Sequence, residues 1–191
     1  MIKILDCKNP NYLSRLKLIL NKRRFKSKIN TDIVIKIVKD IKKNKKKALL
    51  KYEKKFSKNT KIKPTKNEIN KSIKSLDPKI KNAIDFAYSR ILKFHSLQKN
   101  KNIKYVDKQN NTIEYRYIPI QSVGIYVPSN LPSTLLMNAI LAKKIAGVKR
   151  VVLANPRLNG KLNPAVMYAA KKCGISEIIS AGGSQAIASL A

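Results

Sequence analysis

Apolar residues recur three and four positions apart through most of the first hundred residues, the spacing that gathers them on one face of a helix. Leu13, Leu16, Ile19 and Leu20 predict such a face over residues 11–24. A second stretch, 31–56, carries Ile33, Val34, Ile37, Val38 and Ile41 behind a cap at Asn30 or Thr31. Asn44, set in a lysine run, marks a break, and Ala48, Leu49, Tyr52 and Phe56 resume the apolar face. Residues 57–64 read as a loop ending at Pro64. Thr65-Lys66-Asn67-Glu68 has the form of a capping box and starts a short helix ending near Leu76. Asp77 caps the next helix, with Pro78 in its first turn, and Ile80, Ile84, Ala87, Ile91, Leu92 and His95 line it to about Leu97.

The period shortens after residue 102. Ile103 to Val106 and Ile113 to Tyr117 flank the turn cluster Lys108-Gln109-Asn110-Asn111 and predict a hairpin. From Ser122 the pattern is strand, loop, helix, three times over. Val123 to Val127 is the first strand, Pro128 to Pro132 the loop, and Ser133-Thr134 caps a helix running to Ala146, stopped by Gly147. Lys149 to Ala154 is the second strand; its helix spans 163–173 and stops at Gly174. Glu177 to Ala181 is the third strand, followed by a Gly182-Gly183 turn and a helix from Ser184. Short apolar strands alternating with helices of 10–14 residues predict a parallel sheet. The expected fold class is α/β: a helical N-terminal region (1–101), a hairpin connector (102–121), and an incomplete Rossmann-like parallel sheet of three βα units (122–191). Three such units are half of a doubly wound sheet. The sequence reaches Ala191 inside a helix that has barely begun, where a larger domain is expected to continue.

Composition adjusts this picture in three ways. Hydrophobic residues are 43% of the 191, enough for a packed core. No stretch approaches the roughly 20 apolar residues a membrane span needs, and the start lacks the pattern of a secretory signal. Cys7 and Cys173 lie far apart with no CxxC, which fits a reducing cytoplasm without a disulfide framework or a zinc knuckle. The charge is the unusual quantity: 42 Lys plus Arg against 10 Asp plus Glu, a formal net charge of +32. Such a balance raises nucleic acid or an anionic surface as partner. Lysine far outnumbers arginine, however, and base readout favours the rigid arginine fork. Lys, Ile and Asn are abundant together, as in Lys99-Asn100-Lys101-Asn102. Compositional drift is the leading account, ahead of nonspecific polyanion affinity and of a dedicated nucleic-acid reader; no specific nucleic acid and no membrane is expected.

No standard chemical motif stands on its own terms. The loop after the first strand is Pro128-Ser129-Asn130-Leu131-Pro132, not GxGxxG, and there is neither a Walker lysine loop nor GxSxG. His95 is the only histidine, beside Phe94 on a helix face, where a structural role is expected. After residue 100 no two acidic residues lie close enough in sequence to suggest an acid/base pair.

Longer segments nevertheless carry a likeness. They are Pro119 to Pro128 (PIQSVGIYVP), Leu131 to Ile140 (LPSTLLMNAI), Ala146-Gly147-Val148, Gly160 to Ala165 (GKLNPA) and Gly182 to Ala191 (GGSQAIASLA). Upstream, Ala48 to Tyr52 with Phe56, Leu76-Asp77-Pro78 and Ile91 to His95 follow in matching order. Together they resemble the histidinol dehydrogenase family, over essentially the whole chain but only about the first half of the family's length.

The resemblance implies NAD-dependent oxidation of L-histidinol to L-histidine through the aldehyde, the last steps of histidine biosynthesis. It implies cytoplasmic location, a bound zinc, a homodimer, and a Rossmann-like domain without the usual glycine fingerprint. Two family NAD contacts fall on this sequence: the tyrosine of Tyr-x-Pro, Tyr126, and the glutamine of Gly-Gly-x-Gln, Gln185. The first would end a parallel strand. The second would sit in the first turn of a helix, where ligands meet such sheets and phosphate is attracted. The family usually follows Tyr-x-Pro with two glycines; here Ser129-Asn130 follows and the loop is about three residues shorter. The family's zinc ligands, its glutamate–histidine catalytic pair and a third NAD contact correspond to positions beyond Ala191. No catalytic and no metal-ligating residue is therefore assigned, and the chain alone is expected to be inactive. The competing class is a non-enzymatic remnant or basic polyanion-binding module, which would show interleaved Arg and aromatic residues.

Overall fold

A computed structural model describes residues 5–128 and 130–191, with the backbone alone for 22–30. Helix α1 spans Tyr12–Ser57, α2 Lys66–Lys74 and α3 Pro78–Ser96. Strands β1 (Ile103–Val106) and β2 (Thr112–Tyr115) form an antiparallel hairpin. Then follow β3 (Ser122–Tyr126), α4 (Pro132–Ala139) continued by a π-helical segment (Ile140–Ile145), and β4 (Arg150–Ala154). The order closes with α5 (Pro164–Cys173), β5 (Glu177–Ile179) and α6 (Gly183–Leu190). The class is the expected α/β one. β3, β4 and β5 form one three-stranded parallel sheet, in that order.

Alternation along β4 shows how the sheet divides the core. Val151 and Leu153 face one layer with Ile125, Leu135, Leu136, Val166 and Met167, while Ala154 faces the other with Ile37, Ile41, Leu49 and Ala186. Helices α4 and α5 cover the first face, with α3 packed outside them; α6 and α1 cover the second. Helix α6 turns back across the sheet to lie over β3. A Cβ on Gly124 would stand 2.6 Å from Leu190 Cβ, so only glycine admits this approach.

Local signals account for most boundaries. Thr65 and Glu68 make both bonds of the capping box. Asp77 caps α3 through Lys79 N–H, and Asn163 caps α5 through Val166 N–H. Several expectations are corrected. Helix α1 runs unbroken through Asn30 and Thr31, so no cap lies there; its break falls at Lys45 (φ 47°, ψ −124°), one residue after Asn44. Asp40 braces that break, accepting bonds from Asn44, Lys51 and Tyr52 at 2.6–2.9 Å. The face of Leu13, Leu16, Ile19 and Leu20 is exposed, not buried.

Helix α4 has no Ser/Thr cap, since Leu131 occupies the N-cap and Pro132 the first turn. Its continuation is π-helical from Ile140, where the sequence pattern predicts ordinary α-helix; the wider turn lets Ala139 and Ile140 both reach the core. Strand β5 stops at Ile179, because Ser180 N–H bonds Ile62 O at 2.6 Å and leaves the sheet ladder. Met1 to Ile4 and Ser129, parts of the N-terminal and loop readings, lie outside the described residues.

Candidate functional site

The register of the sheet sets the rim on which a site can form. Tyr126 pairs with Ala154, and Ala154 with Ile179, so the three strands reach their C-terminal ends at one level. In open parallel sheets ligands meet the fold at this edge. Tyr126 closes β3, and β5 leads through Ser180 and Ala181 into the Gly182-Gly183 start of α6. Although β4 separates their strands, the Tyr126 hydroxyl accepts the Gly183 N–H at 3.1 Å.

A cleft of about 550 Å³ opens there, lined on one side by Ile33, Ile37 and Phe56 of α1, and on the other by Tyr126, Gly183 and Gln185. The two sequence-predicted site residues are thus brought to one cavity. They differ in setting: Tyr126 is half-buried, whereas Gln185 is 3% exposed. Gln185 Nε2 donates to Glu53 Oε1 at 2.8 Å. Its Oε1 is turned toward Gly183, 2.9 Å from where a Cβ on that residue would stand. Gly183 also holds φ +63°, so both space and backbone require glycine. Among the described residues, nothing accepts the Tyr126 hydroxyl proton and nothing donates to Gln185 Oε1. Tyr126 thus offers a hydroxyl donor and Gln185 a carbonyl acceptor, beside the lining hydroxyls of Ser57 and Ser184.

A helix N-terminus attracts anions through unpaired N–H groups. Here the Gly182 N–H is bonded to Glu53 Oε1 at 3.0 Å and the Gly183 N–H to Tyr126. Among the described residues, no basic side chain lines the cleft, and the titratable one that does is Tyr126. The described walls set the apolar side chains of α1 opposite polar groups of Tyr126, Ser184 and Gln185.

Sequence reasoning misses Glu53, because Tyr52-Glu53-Lys54-Lys55 reads as a solvated charged turn. The available signal is its place four residues after buried Leu49, on the apolar face of α1. Asn59 is missed as well: its Nδ2 donates to Ser180 O at 2.7 Å and ties the end of α1 to the β5–α6 turn. Arg157, 7% exposed, meets Glu68 Oε1 at 3.3 Å and fastens the loop after β4 to α2. The bonds from Thr65, led by its backbone N–H, and the nearby guanidinium hold the Glu68 carboxyl below its ordinary value. His95 lies away from the cleft, its Nδ1 2.6 Å from Gln98 Oε1. Among the described residues no group of three or more His, Cys, Asp or Glu could hold a metal ion. The side chains present do not form a zinc site.

The model of the histidinol dehydrogenase family matches residues 20–191. The chain belongs to the histidinol dehydrogenase family. The histidinol dehydrogenase of Pelagibacter ubique is 58% identical over 194 residues, covering all of this chain and 45% of that protein. That of Pseudoalteromonas translucida is 42% identical over 150 residues, 75% of this chain and 34% of its own. The crystal structure of histidinol dehydrogenase from Elizabethkingia anophelis superposes with a TM-score of 0.76 at 38% identity, covering 83% of this chain and 38% of that one. The chain spans less than half the length of the histidinol dehydrogenases it matches. No helix among the described residues is long and apolar enough to cross a membrane.

Proposed function

We propose that the cleft between Tyr126 and Gln185 takes the nucleoside part of NAD, and that the chain contributes this cofactor contact to a histidinol dehydrogenase. The observation that carries the reading is the convergence of a hydroxyl donor and a carbonyl acceptor on one cleft at the C-terminal rim of a parallel sheet. When bound, NAD would supply the hydride acceptor for the family's oxidation of L-histidinol. Tyr126 donates to the bound nucleoside, Gln185 accepts from it, and Phe56 and Ile37 shield its apolar side. Among the described residues the cleft lining holds no carboxylate or imidazole, and in this reading the groups that take the alcohol proton and hold zinc belong to the part of the relatives' length that this chain does not span. The family's homodimer and its biosynthetic setting in the cytoplasm belong to the same proposal.

The test is a calorimetric titration of NAD into the chain at low and high salt. Tyr126→Phe and Gln185→Ala each remove one hydrogen bond and are expected to weaken binding by about 2- to 10-fold. The +32 charge attracts any dinucleotide nonspecifically, and that attraction is screened by salt. Binding that ignores both substitutions and vanishes with salt would overturn the assignment.

A further inference from the structure

The Glu53 carboxylate is fully buried at the end of α1, and one of its oxygens, Oε2, has no partner. A buried, unpartnered carboxylate oxygen is costly, so the site carries a penalty that its other oxygen must offset. That oxygen, Oε1, accepts twice: from the Gly182 N–H at 3.0 Å and from Gln185 Nε2 at 2.8 Å. It joins the turn before α6 to a side chain in the first turn of that helix. The backbone around Glu53 is anchored too. Its carbonyl accepts the Asn59 N–H at 3.2 Å, and the Asn59 side chain reaches Ser180.

A glutamine amide has two ends of nearly equal shape and opposite hydrogen-bonding sense, and only its partners decide which faces where. Glu53 Oε1 already accepts the Gly182 N–H, so the amide end that meets it is the donor: Glu53 fixes Nε2 inward and leaves Oε1 toward Gly183 and the cleft. We infer that Glu53 is the positioning residue of the cleft: its buried carboxylate locks the Gln185 amide so that the carbonyl end is presented to the ligand. This deepens the proposed cofactor reading and rests on it for its NAD arm alone.

The experiment reads the Gln185 side-chain amide by ¹⁵N NMR, its resonance assigned by its loss in Gln185→Ala, together with NAD affinity in the same chains. Parent chain should show slowly exchanging Nε2 protons; rapid exchange in the parent would overturn the inference outright. Glu53→Gln keeps an acceptor at Oε1 and should retain the protection. Glu53→Met keeps the length and removes the acceptor. It should raise the exchange rate at least about tenfold, the scale of a lost charged hydrogen bond. Glu53→Met should also weaken NAD by the same factor as Gln185→Ala, and the double substitution should be no worse than Gln185→Ala. Unchanged protection in Glu53→Met, or additive losses in the double variant, would refute the positioning role. Should the parent not bind NAD, the cofactor reading fails while the exchange measurements still decide the role of Glu53.

Discussion

At the scale of single residues, the informative groups are those whose environment moves them from their ordinary chemistry. Asp40 accepts from Asn44, Lys51 and Tyr52, and those bonds, led by Asn44, lower its pKa from 3.8 to about 2. Its folded-state value lies below the unfolded one, so its contribution is present above about pH 4 and is lost as pH falls toward 2. Acidification through that window should loosen the break at Lys45 before the sheet melts. A carboxyl ¹³C titration of Asp40 followed beside the Tyr52 ring signals checks this; an Asp40 midpoint near 4 would refute it. The two thiols should also separate. Cys7 is exposed, while burial pushes the Cys173 thiol up to about 11. A thiolate-selective reagent at pH 8 should modify one cysteine per chain quickly and the second only on unfolding. Mass spectrometry of the digested product then identifies Cys7.

At the scale of elements, the decisive contact is the crossing of α6 over β3. Leu190 lies so close to Gly124 that an added methyl meets its Cβ at 2.6 Å. The obstacle is the first carbon of a side chain fixed to a helix, so neither a rotamer change nor a small shift of one atom relieves it. Gly124→Ala should destabilise the chain by about 1–3 kcal/mol, seen as a lowered midpoint in urea with little change in slope. An unchanged midpoint would mean that α6 does not sit where the structure has it.

This crossing also shows what a sequence can and cannot disclose. β3, β4 and α5 are legible because their signals are local: short apolar runs rich in Val, and the stop at Gly174. The position of α6 over β3 is not, since Gly124 and Leu190 carry no mark of their meeting. Glu53 is hidden for the same reason, its partners Gly182 and Gln185 lying 129 and 132 residues away. The π-helical turn is hidden differently: no residue type between Ile140 and Ile145 marks the wider hydrogen bonding. Tyr126 and Gln185 are found only through family motifs, because a tyrosine at a strand end and a glutamine at a helix start are ordinary in themselves.

At the scale of the whole molecule, two surface properties oppose each other. The first is apolar: Leu13, Leu18 and Leu20 on α1, and Ile103, Tyr105, Ile113 and Tyr115 on the hairpin, are all exposed. Faces of this kind drive association when they meet. The second is the +32 charge, which keeps like molecules apart and is screened within about 10 Å at 0.1 M salt. The ion pairs do not alter it, since the +32 already counts the carboxylates that Lys51, Lys104 and Arg150 meet. The balance between apolar attraction and repulsion therefore rests on ionic strength. Sedimentation of the chain should give a mass near 21.6 kDa at about 20 mM salt and a rising average mass as salt is raised toward 0.5 M. Ordinary ion-pair association would move the other way, with mass falling as salt screens the attraction. A mass independent of salt at fixed concentration would show that the exposed apolar faces of α1 and the hairpin do not drive contact between molecules.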